Sequence, residues 1–304
     1  MEERLIGIDI GGTFIKAILT NKKGDILHEA ATPTNDINGV DNSGQWKASV
    51  SRLIRELESK NGNPIKYIGI SSPGTVNSEN QYVLSNGTKL LGVEDFCWSD
   101  YLDREVYVLN DAHSALYSES KLGIGKGINN ILMITLGTGV GGGILIDGKL
   151  LQGKLGRAGH IGHTSVTKDP FLGIANTPGS IESEIGECSL VRRTHGKFKS
   201  TKELLEAHDG GNSFATWVWL NSVQALARTI TSSINILSPE LIIIGGGVAK
   251  AGETLMRPLK DFLNIYEWRP KGYETPIKFA KMGNHAGAIG AALFSFKKLG
   301  GVFE

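Results

Sequence analysis

An aspartate followed by two glycines and a threonine, Asp9-Ile10-Gly11-Gly12-Thr13-Phe14, is the stretch of this chain best suited to chemistry. The apolar run Leu5 to Ile8 reads as a strand that delivers the carboxylate to a turn. Glycine tolerates positive φ and lacks a Cβ, so backbone N–H groups there can approach an anion closely. A carboxylate beside a phosphate repels it, and the role this arrangement assigns to Asp9 is to organise a metal ion on that phosphate through water. A second glycine-rich segment, Gly137 to Gly143, follows the apolar run Ile131–Leu136, and a third, Gly245-Gly246-Gly247, follows Leu241–Ile244. One such loop alone reads as an ordinary turn. Three at the ends of expected strands point to phosphate cradling.

Asp111 stands directly after the strand-like run Glu105–Leu109 and Asn110, and before a helical pattern. In that position it is either a helix N-cap or a general base. A carboxylate held against a sugar hydroxyl accepts its proton as the oxygen attacks phosphorus, a contribution of about 10²–10⁴-fold in rate. His160 and His163 stand three apart in Gly159-His160-Ile161-Gly162-His163. Zinc would need two further ligands, and the next forty residues offer only Cys188 and His195, so the pair reads as polar contacts to a ligand. Two familiar motifs do not fit. Gly137-Thr138-Gly139-Val140-Gly141-Gly142 has the spacing of a dinucleotide fingerprint, but a strand-like run follows where that fingerprint needs a helix. Gly148 to Lys154 nearly matches a P-loop, with Leu155 where a metal-binding hydroxyl is required.

The elements that must position these groups follow from periodicity. Leu5–Ile10, Ile15–Leu19 and Asp25–Ala30 read as three strands joined by tight turns. Val50, Leu53, Ile54 and Leu57 recur at helical spacing between Gly44 and Lys60. Strands are expected at Lys66–Ile70, ending at Ser71-Ser72-Pro73-Gly74, and at Ile144–Asp147 after the second glycine segment. Ala112–Leu122 reads as a helix, as does a long stretch carrying Leu220, Val223, Ala227, Ile230, Ile234 and Leu237 on one face, stopped by Pro239. A final helix follows Gly283. Adding 126 to the residue number lays the opening segment on the second glycine segment without a gap. Ile8 falls on Ile134, Gly11 on Gly137, Ile18 on Ile144 and Leu19 on Leu145, which reads as an internal duplication.

At 304 residues the chain exceeds one hydrophobic core, so two α/β domains with a cleft between them are expected. A net charge of +1 without long like-charge blocks argues against nucleic acid or an anionic membrane as the main partner. The longest apolar runs are too short to cross a bilayer. Two distant cysteines, Cys97 and Cys188, and an N-terminus that enters a strand without a signal segment fit a reduced, cytoplasmic protein.

As a set these residues resemble the ROK sugar kinases, whose fold is the actin-like ATPase, ribonuclease H-like α/β fold. Asp9-Ile10-Gly11-Gly12-Thr13 is similar to that family's first phosphate loop, and Leu136 to Gly143 to its second. Ile244-Gly245-Gly246-Gly247-Val248 is similar to its adenosine-side loop, and Asn110-Asp111-Ala112 to the segment with the catalytic aspartate. The closing stretch Gly283 to Ala292 also fits, so the resemblance spans nearly the whole chain in order.

The resemblance implies ATP and Mg²⁺ as cofactors and Asp111 as catalytic base, with Asp9 holding the metal through water. The nucleotide would then contact Asp9, Gly11, Gly12, Thr13, Lys16, Gly137, Thr138, Gly139, Gly245, Gly246, Gly247 and Val248. The sugar would contact Gly74, Thr88, Asn110, Asp111, His160, His163 and Glu182. It implies a first domain of residues 1–118 completed by a helix at about 290–304, a second of residues 119–289, and a homodimer. Two departures stand out. His160 replaces the family's glutamate before Ile-Gly-His, and imidazole offers one donor and one acceptor where a carboxylate only accepts. No cysteine lies between His163 and Glu182, so no structural zinc is expected, and the loop 164–178 needs other contacts or orders with sugar.

The leading expectation is phosphorylation of glucose at its 6-hydroxyl. N-acetylhexosamine, mannose, fructose or β-glucoside kinases and a non-catalytic sugar sensor are the alternatives, and polyphosphate stays open as donor. A transcription factor of this family would carry a DNA-binding domain before the first loop, where only eight residues precede Asp9.

Overall fold

The computed structural model describes residues 3–36, 41–86, 90–173 and 176–303. Two compact units divide the chain. One comprises Met1–Gly127, Lys149–Ala158 and Ala280–Glu304, the other Ile128–Gly148 and Gly159–Phe279.

In the first unit, β1 (Arg4–Ile10) turns through the first glycine loop into antiparallel β2 (Phe14–Asn21), which pairs with β3 (Ile26–Pro33). Helix α1 (Ser43–Asn61) buries Val50, Leu53, Ile54 and Leu57, the face expected from their spacing. Next come β4 (Tyr67–Ser72), the short hairpin β5 (Thr75–Val76) and β6 (Val83–Ser85), and a helical turn α2 (Trp98–Leu102). Strand β7 (Val106–Asn110) leads directly into α3 (Asp111–Lys121). The sheet order is β3-β2-β1-β4-β7, with β4 parallel to both β1 and β7.

The second unit repeats the plan. Strands β8 (Ile131–Leu136) and β9 (Val140–Ile146) form an antiparallel hairpin around the second glycine loop. The two-residue strand β10 (Lys149–Leu150) belongs to the first unit. Short helices α4 (Ile181–Ile185), α5 (Leu190–Arg193) and α6 (Thr201–Asp209) precede the long α7 (Ser213–Leu237), whose N-cap Asn212 accepts a hydrogen bond from Ala215 N–H. Strand β11 (Leu241–Gly245), helix α8 (Glu253–Tyr266) and β12 (Ile277–Phe279) complete it. The order β9-β8-β11-β12 matches β2-β1-β4-β7, again with antiparallel hairpin and parallel neighbours. The duplication seen in sequence is thus a duplicated sheet. Its turns differ by one residue: Gly11–Phe14 separate the last paired residues Ile10 and Ile15, whereas Gly137–Gly139 separate Leu136 and Val140.

One expectation needs correction. The stretch Val140–Gly143, read from sequence as loop, belongs to strand β9. Its glycines answer a close backbone approach: a Cβ on Gly142 would stand 2.5 Å from the Gly159 carbonyl oxygen and 2.9 Å from that of Met133.

The chain returns to the first unit as α9 (Ala286–Lys298), which packs on β1, β4 and α3. It does so at backbone distance. A Cβ on Gly7 of β1 would sit 1.9 Å from the Ala288 carbonyl oxygen, and one on Gly69 of β4 would sit 1.9 Å from that of Ala291. The way back in is tied by the fully buried Glu119 of α3. Its carboxylate accepts the Lys281 and Met282 N–H groups at 2.6 and 2.7 Å and the Ile124 N–H at 2.9 Å. Among the described residues, no helix is long and apolar enough to cross a membrane.

Because Gly69 faces backbone that cannot rotate aside, Gly69→Ala should remove about 3 kcal/mol of stability, the cost of overpacking a tight core. Denaturant unfolding measures it. A loss below about 1 kcal/mol would show that α9 does not need this closeness.

Candidate active site

In the first unit, strand register assembles the surroundings of Asp9. Antiparallel pairing sets Lys16 opposite Asp9, and parallel pairing sets Ser71 beside it on the other flank. Paired residues share a face of the sheet. The Ser71 hydroxyl, fully buried, donates to Asp9 Oδ1 at 2.7 Å. Burial pushes the Asp9 carboxyl above its ordinary pKa, while the Ser71 hydrogen bond and the charges of Lys16 and His285 pull it back. Gly287 of α9 closes the cradle, since a Cβ there would stand 2.7 Å from Asp9 Oδ1 and 3.0 Å from Ser71 Oγ. The first glycine loop is fastened from behind. Thr34 donates its N–H to Thr13 O at 3.0 Å and its hydroxyl to Gly11 O at 2.6 Å, and Gly11 N–H donates to Phe14 O. A Cβ on Gly12 would meet nothing within 4 Å, so its outer side is open.

The junction of β7 and α3 excludes one of the two readings of Asp111, the N-cap. Asn110 is the N-cap: its Oδ1 accepts the N–H groups of Ala112 and His113 at 3.0 and 3.2 Å, and its Nδ2 donates to Gly74 O at 2.9 Å. Asp111 is therefore the first helical residue, exposed, with Oδ1 2.8 Å from the Ala112 N–H. Gly74 enters this arrangement through its carbonyl, at a backbone φ of 98°. Thr88 lies outside the described residues.

Two residues beyond Asp111, His113 is buried and its Nε2 lies 2.9 Å from the Ala158 carbonyl oxygen. A carbonyl can only accept, so Nε2 carries the proton. This contact ties α3 to the segment 149–158, which ends next to Gly159 and His160. Burial pushes the His113 pKa below its usual 6.5, against the opposing pull of the Ala158 hydrogen bond.

In the second unit, the glycine loops 137–139 and 245–247 stand side by side, because β8 and β11 are parallel neighbours with Thr135 opposite Gly245. A Cβ on Gly246 would sit 2.2 Å from the Leu136 carbonyl oxygen. Both loops thus leave the carboxyl ends of adjacent strands, where open α/β sheets bind ligands. Val248 turns its side chain into the core, and Gly247 is exposed. The turn Ile161–His163 lies on β9, with Gly162 against the Val140 carbonyl. The rings of His160 and His163 stack with centroids 6.1 Å apart and planes at 14°. Glu182 on α4 accepts the Val140 N–H at 3.0 Å. The structure therefore groups His160, His163 and Glu182 with the second glycine loop, and Asp9, Lys16, Gly74, Asn110 and Asp111 with the first unit.

Direct contacts hold the loop between His163 and Glu182. Val166 and Thr167 donate their N–H groups to Gly179 O, Ser165 its hydroxyl to Pro178 O, and Thr167 its hydroxyl to Glu184. Arg192 pairs with Asp169 at 2.7 Å and covers the Phe171 ring at 4.1 Å. The Phe171 N–H and then Arg192 hold the Asp169 carboxyl below its usual range. Among the described residues, no group of three or more His, Cys, Asp or Glu is placed to hold a metal ion.

A model of the ROK family matches residues 5–298. The chain belongs to the ROK family. Over 310 aligned residues this ROK chain is 34% identical to a glucokinase of Halalkalibacterium halodurans, covering 94% of the chain and 92% of the relative. It is 30% identical to an N-acetylmannosamine kinase of Haemophilus influenzae, covering 95% and 94%. A ROK family glucokinase from Streptomyces griseus, solved with glucose and AMPPNP, has a TM-score of 0.79 and 26% identity over 97% of this chain and 99% of its own. The two-sheet α/β architecture is the actin-like ATPase fold of ROK kinases.

Residues that sequence reasoning passed over are Ser71, Thr34, Gly287, His113 and Arg192. Ser71 lay in a noted Ser-Ser-Pro-Gly stop, but only strand register sets its hydroxyl beside Asp9. The others are distant in sequence from what they touch.

His113 makes stability depend on pH. Its folded pKa is depressed, so its contribution is complete above 6.5 and is lost as pH falls below that value, where the unfolded chain takes up the proton first. Unfolding free energy of the wild type should fall below pH 6.5 with an extra slope of up to about 1.4 kcal/mol per pH unit relative to His113→Gln. Parallel slopes for the two proteins in denaturant titrations from pH 7 to 5 would refute this.

Proposed function

We propose that this ROK chain transfers the terminal phosphoryl group of ATP to a hexose, with glucose at its 6-hydroxyl as the leading acceptor. The observation that carries the reading is the division of labour at the β7–α3 junction. Asn110 caps helix α3, and Asp111, the first helical residue directly after edge strand β7, carries an exposed carboxylate. There it would accept the hydroxyl proton as the sugar oxygen attacks the γ-phosphorus and ADP leaves, carrying the electron pair of the broken P–O bond. Kinship supports the same class of reaction, since relatives along nearly the full chain are sugar kinases.

The residues present fit the metal and the nucleotide. A half-buried carboxylate walled by Ser71 and Gly287 suits a Mg²⁺ ion held by Asp9 through water, and Lys16 adds a positive charge on the same face. When bound, the ion supplies charge neutralisation to the transferring group. The loops at 11–13, 137–139 and 245–247 would present N–H groups to the phosphates, and closing around the substrates would exclude water, which competes for the phosphoryl group.

A second acceptor class has its own support. His160 offers a donor and an acceptor in place of a carboxylate, and a 30% identical relative is an N-acetylmannosamine kinase. N-acetylated sugars, mannose, fructose and β-glucosides therefore belong beside glucose in the assay.

Asp111→Asn should lower kcat on the best sugar of that panel by about 10²-fold or more, with nucleotide binding retained. Undiminished turnover in the variant would end the mechanism. Ser71→Ala removes the donor that holds Asp9, and should raise the Mg²⁺ concentration needed for half-maximal ADP binding by about threefold or more. An unchanged Mg²⁺ dependence in calorimetric titration would remove Ser71 from the site.

A further inference from the structure

The second glycine loop is held from one direction. The segment following α4 donates two backbone N–H groups into it, Glu187 to Gly137 O at 3.1 Å and Cys188 to Thr138 O at 2.8 Å. The third tie is a side chain: Glu182 Oε2 accepts the Val140 N–H at 3.0 Å. This carboxylate lies so close to the loop that a Cβ on Gly139 would stand 2.2 Å from the same oxygen. Glu182 is itself well seated. Ser180 caps its helix by accepting the Ser183 N–H at 3.3 Å, and the Glu182 carbonyl accepts the Gly186 N–H at 2.9 Å.

We propose that Glu182 is a positioning residue for the nucleotide loop as well as a sugar contact, so that one carboxylate couples the two substrates. The sugar half rests on the function proposed above; the loop half does not. A carboxylate has two oxygens and about four acceptor sites, so one oxygen can hold Val140 while the group still accepts from a sugar hydroxyl. Hydrogen bonds to an ionised group are about twice as strong as neutral ones, which suits a loop made largely of glycine with few side chains to brace it. Because Gly139 leaves room for the carboxylate, crowding at 139 and loss of the carboxylate at 182 are reciprocal perturbations of one contact. A coupling between binding sites is reciprocal in free energy. Weakening the contact from the loop side must therefore be felt by the sugar, and weakening it from the sugar side must be felt by the nucleotide.

The test uses the full-length protein and measures two binding constants separately. Calorimetry with Mg²⁺-ADP and no sugar should find Glu182→Ala about tenfold weaker than wild type, the usual effect of losing one charge-assisted hydrogen bond. Glu182→Asp, which keeps the charge but is one methylene too short to reach Val140, should weaken ADP similarly. Glu182→Gln, which keeps an acceptor at the right reach, should lose no more than about threefold. Tryptophan fluorescence titration with glucose and no nucleotide should find Gly139→Ala at least about fivefold weaker, although residue 139 belongs to the nucleotide loop. Unchanged ADP affinity in both Glu182→Ala and Glu182→Asp would overturn the proposal, as would unchanged sugar affinity in Gly139→Ala. Should Glu182→Ala not fold, Glu182→Asp and Gly139→Ala decide the matter. Failure of the wild type to bind any panel sugar refutes the proposed acceptor, while the ADP measurements still decide the loop half.

Discussion

The contact on which the first unit depends is the backbone-to-backbone approach of the closing helix α9 to strands β1 and β4. Glycines 7 and 69 put no side chain between them, so carbonyls of Ala288 and Ala291 lie where Cβ atoms would otherwise be. The same helix meets α3 in the same manner, with Gly290 against the Ser114 carbonyl. One small-residue helix thus fixes the distance to the strand that carries Asp9 and to the helix that carries Asp111. Its own Gly287 then walls the Asp9 carboxylate, next to the Ser71 hydroxyl. A bulkier helix would stand further off and leave that carboxylate solvated and free to turn.

Within this frame, a few polar groups hold the loops and junctions around the site. Asn110 takes the cap and ties β7 to Gly74, while Asp111 Oδ1 also lies against the Ala112 N–H. Thr34 holds the first glycine loop from behind, so that the loop's outer side faces away from its anchor. Glu119, buried and fully engaged with backbone N–H groups, holds the point where the chain re-enters the first unit. In the second unit Glu182 braces the second glycine loop through the Val140 N–H. The carboxylate fits there because the loop has only a glycine, Gly139, at its nearest point.

The loop between His163 and Glu182 is held by contacts between residues distant in sequence. A guanidinium–carboxylate pair, a ring under that guanidinium and a short antiparallel contact at Val166–Gly179 span it. Nothing in the local sequence signals this, because Arg192 lies 23 residues from Asp169. The same limit explains the misread stretch Val140–Gly143. A run of glycines is ambiguous between a loop that must turn and a strand that must admit another backbone, and only the position of Gly159 against it distinguishes them.

Read alone, the chain determined its local chemistry. The carboxylate–glycine turn at Asp9, the strand–Asn–Asp–helix junction and the glycine loops are patterns of residue type at short range, which sequence records, and the repeat at 126 residues is one such pattern written twice. They were enough to reach the α/β class, the ROK family and a kinase reading. Tertiary structure decided how those groups are held. Register placed Ser71 and Lys16 beside Asp9, helix packing placed Gly287 over it, and the fold set His113 against Ala158 and Glu182 against Val140. Each of these is a contact between residues remote in sequence, set by backbone separation and strand register, quantities that no single stretch of sequence contains.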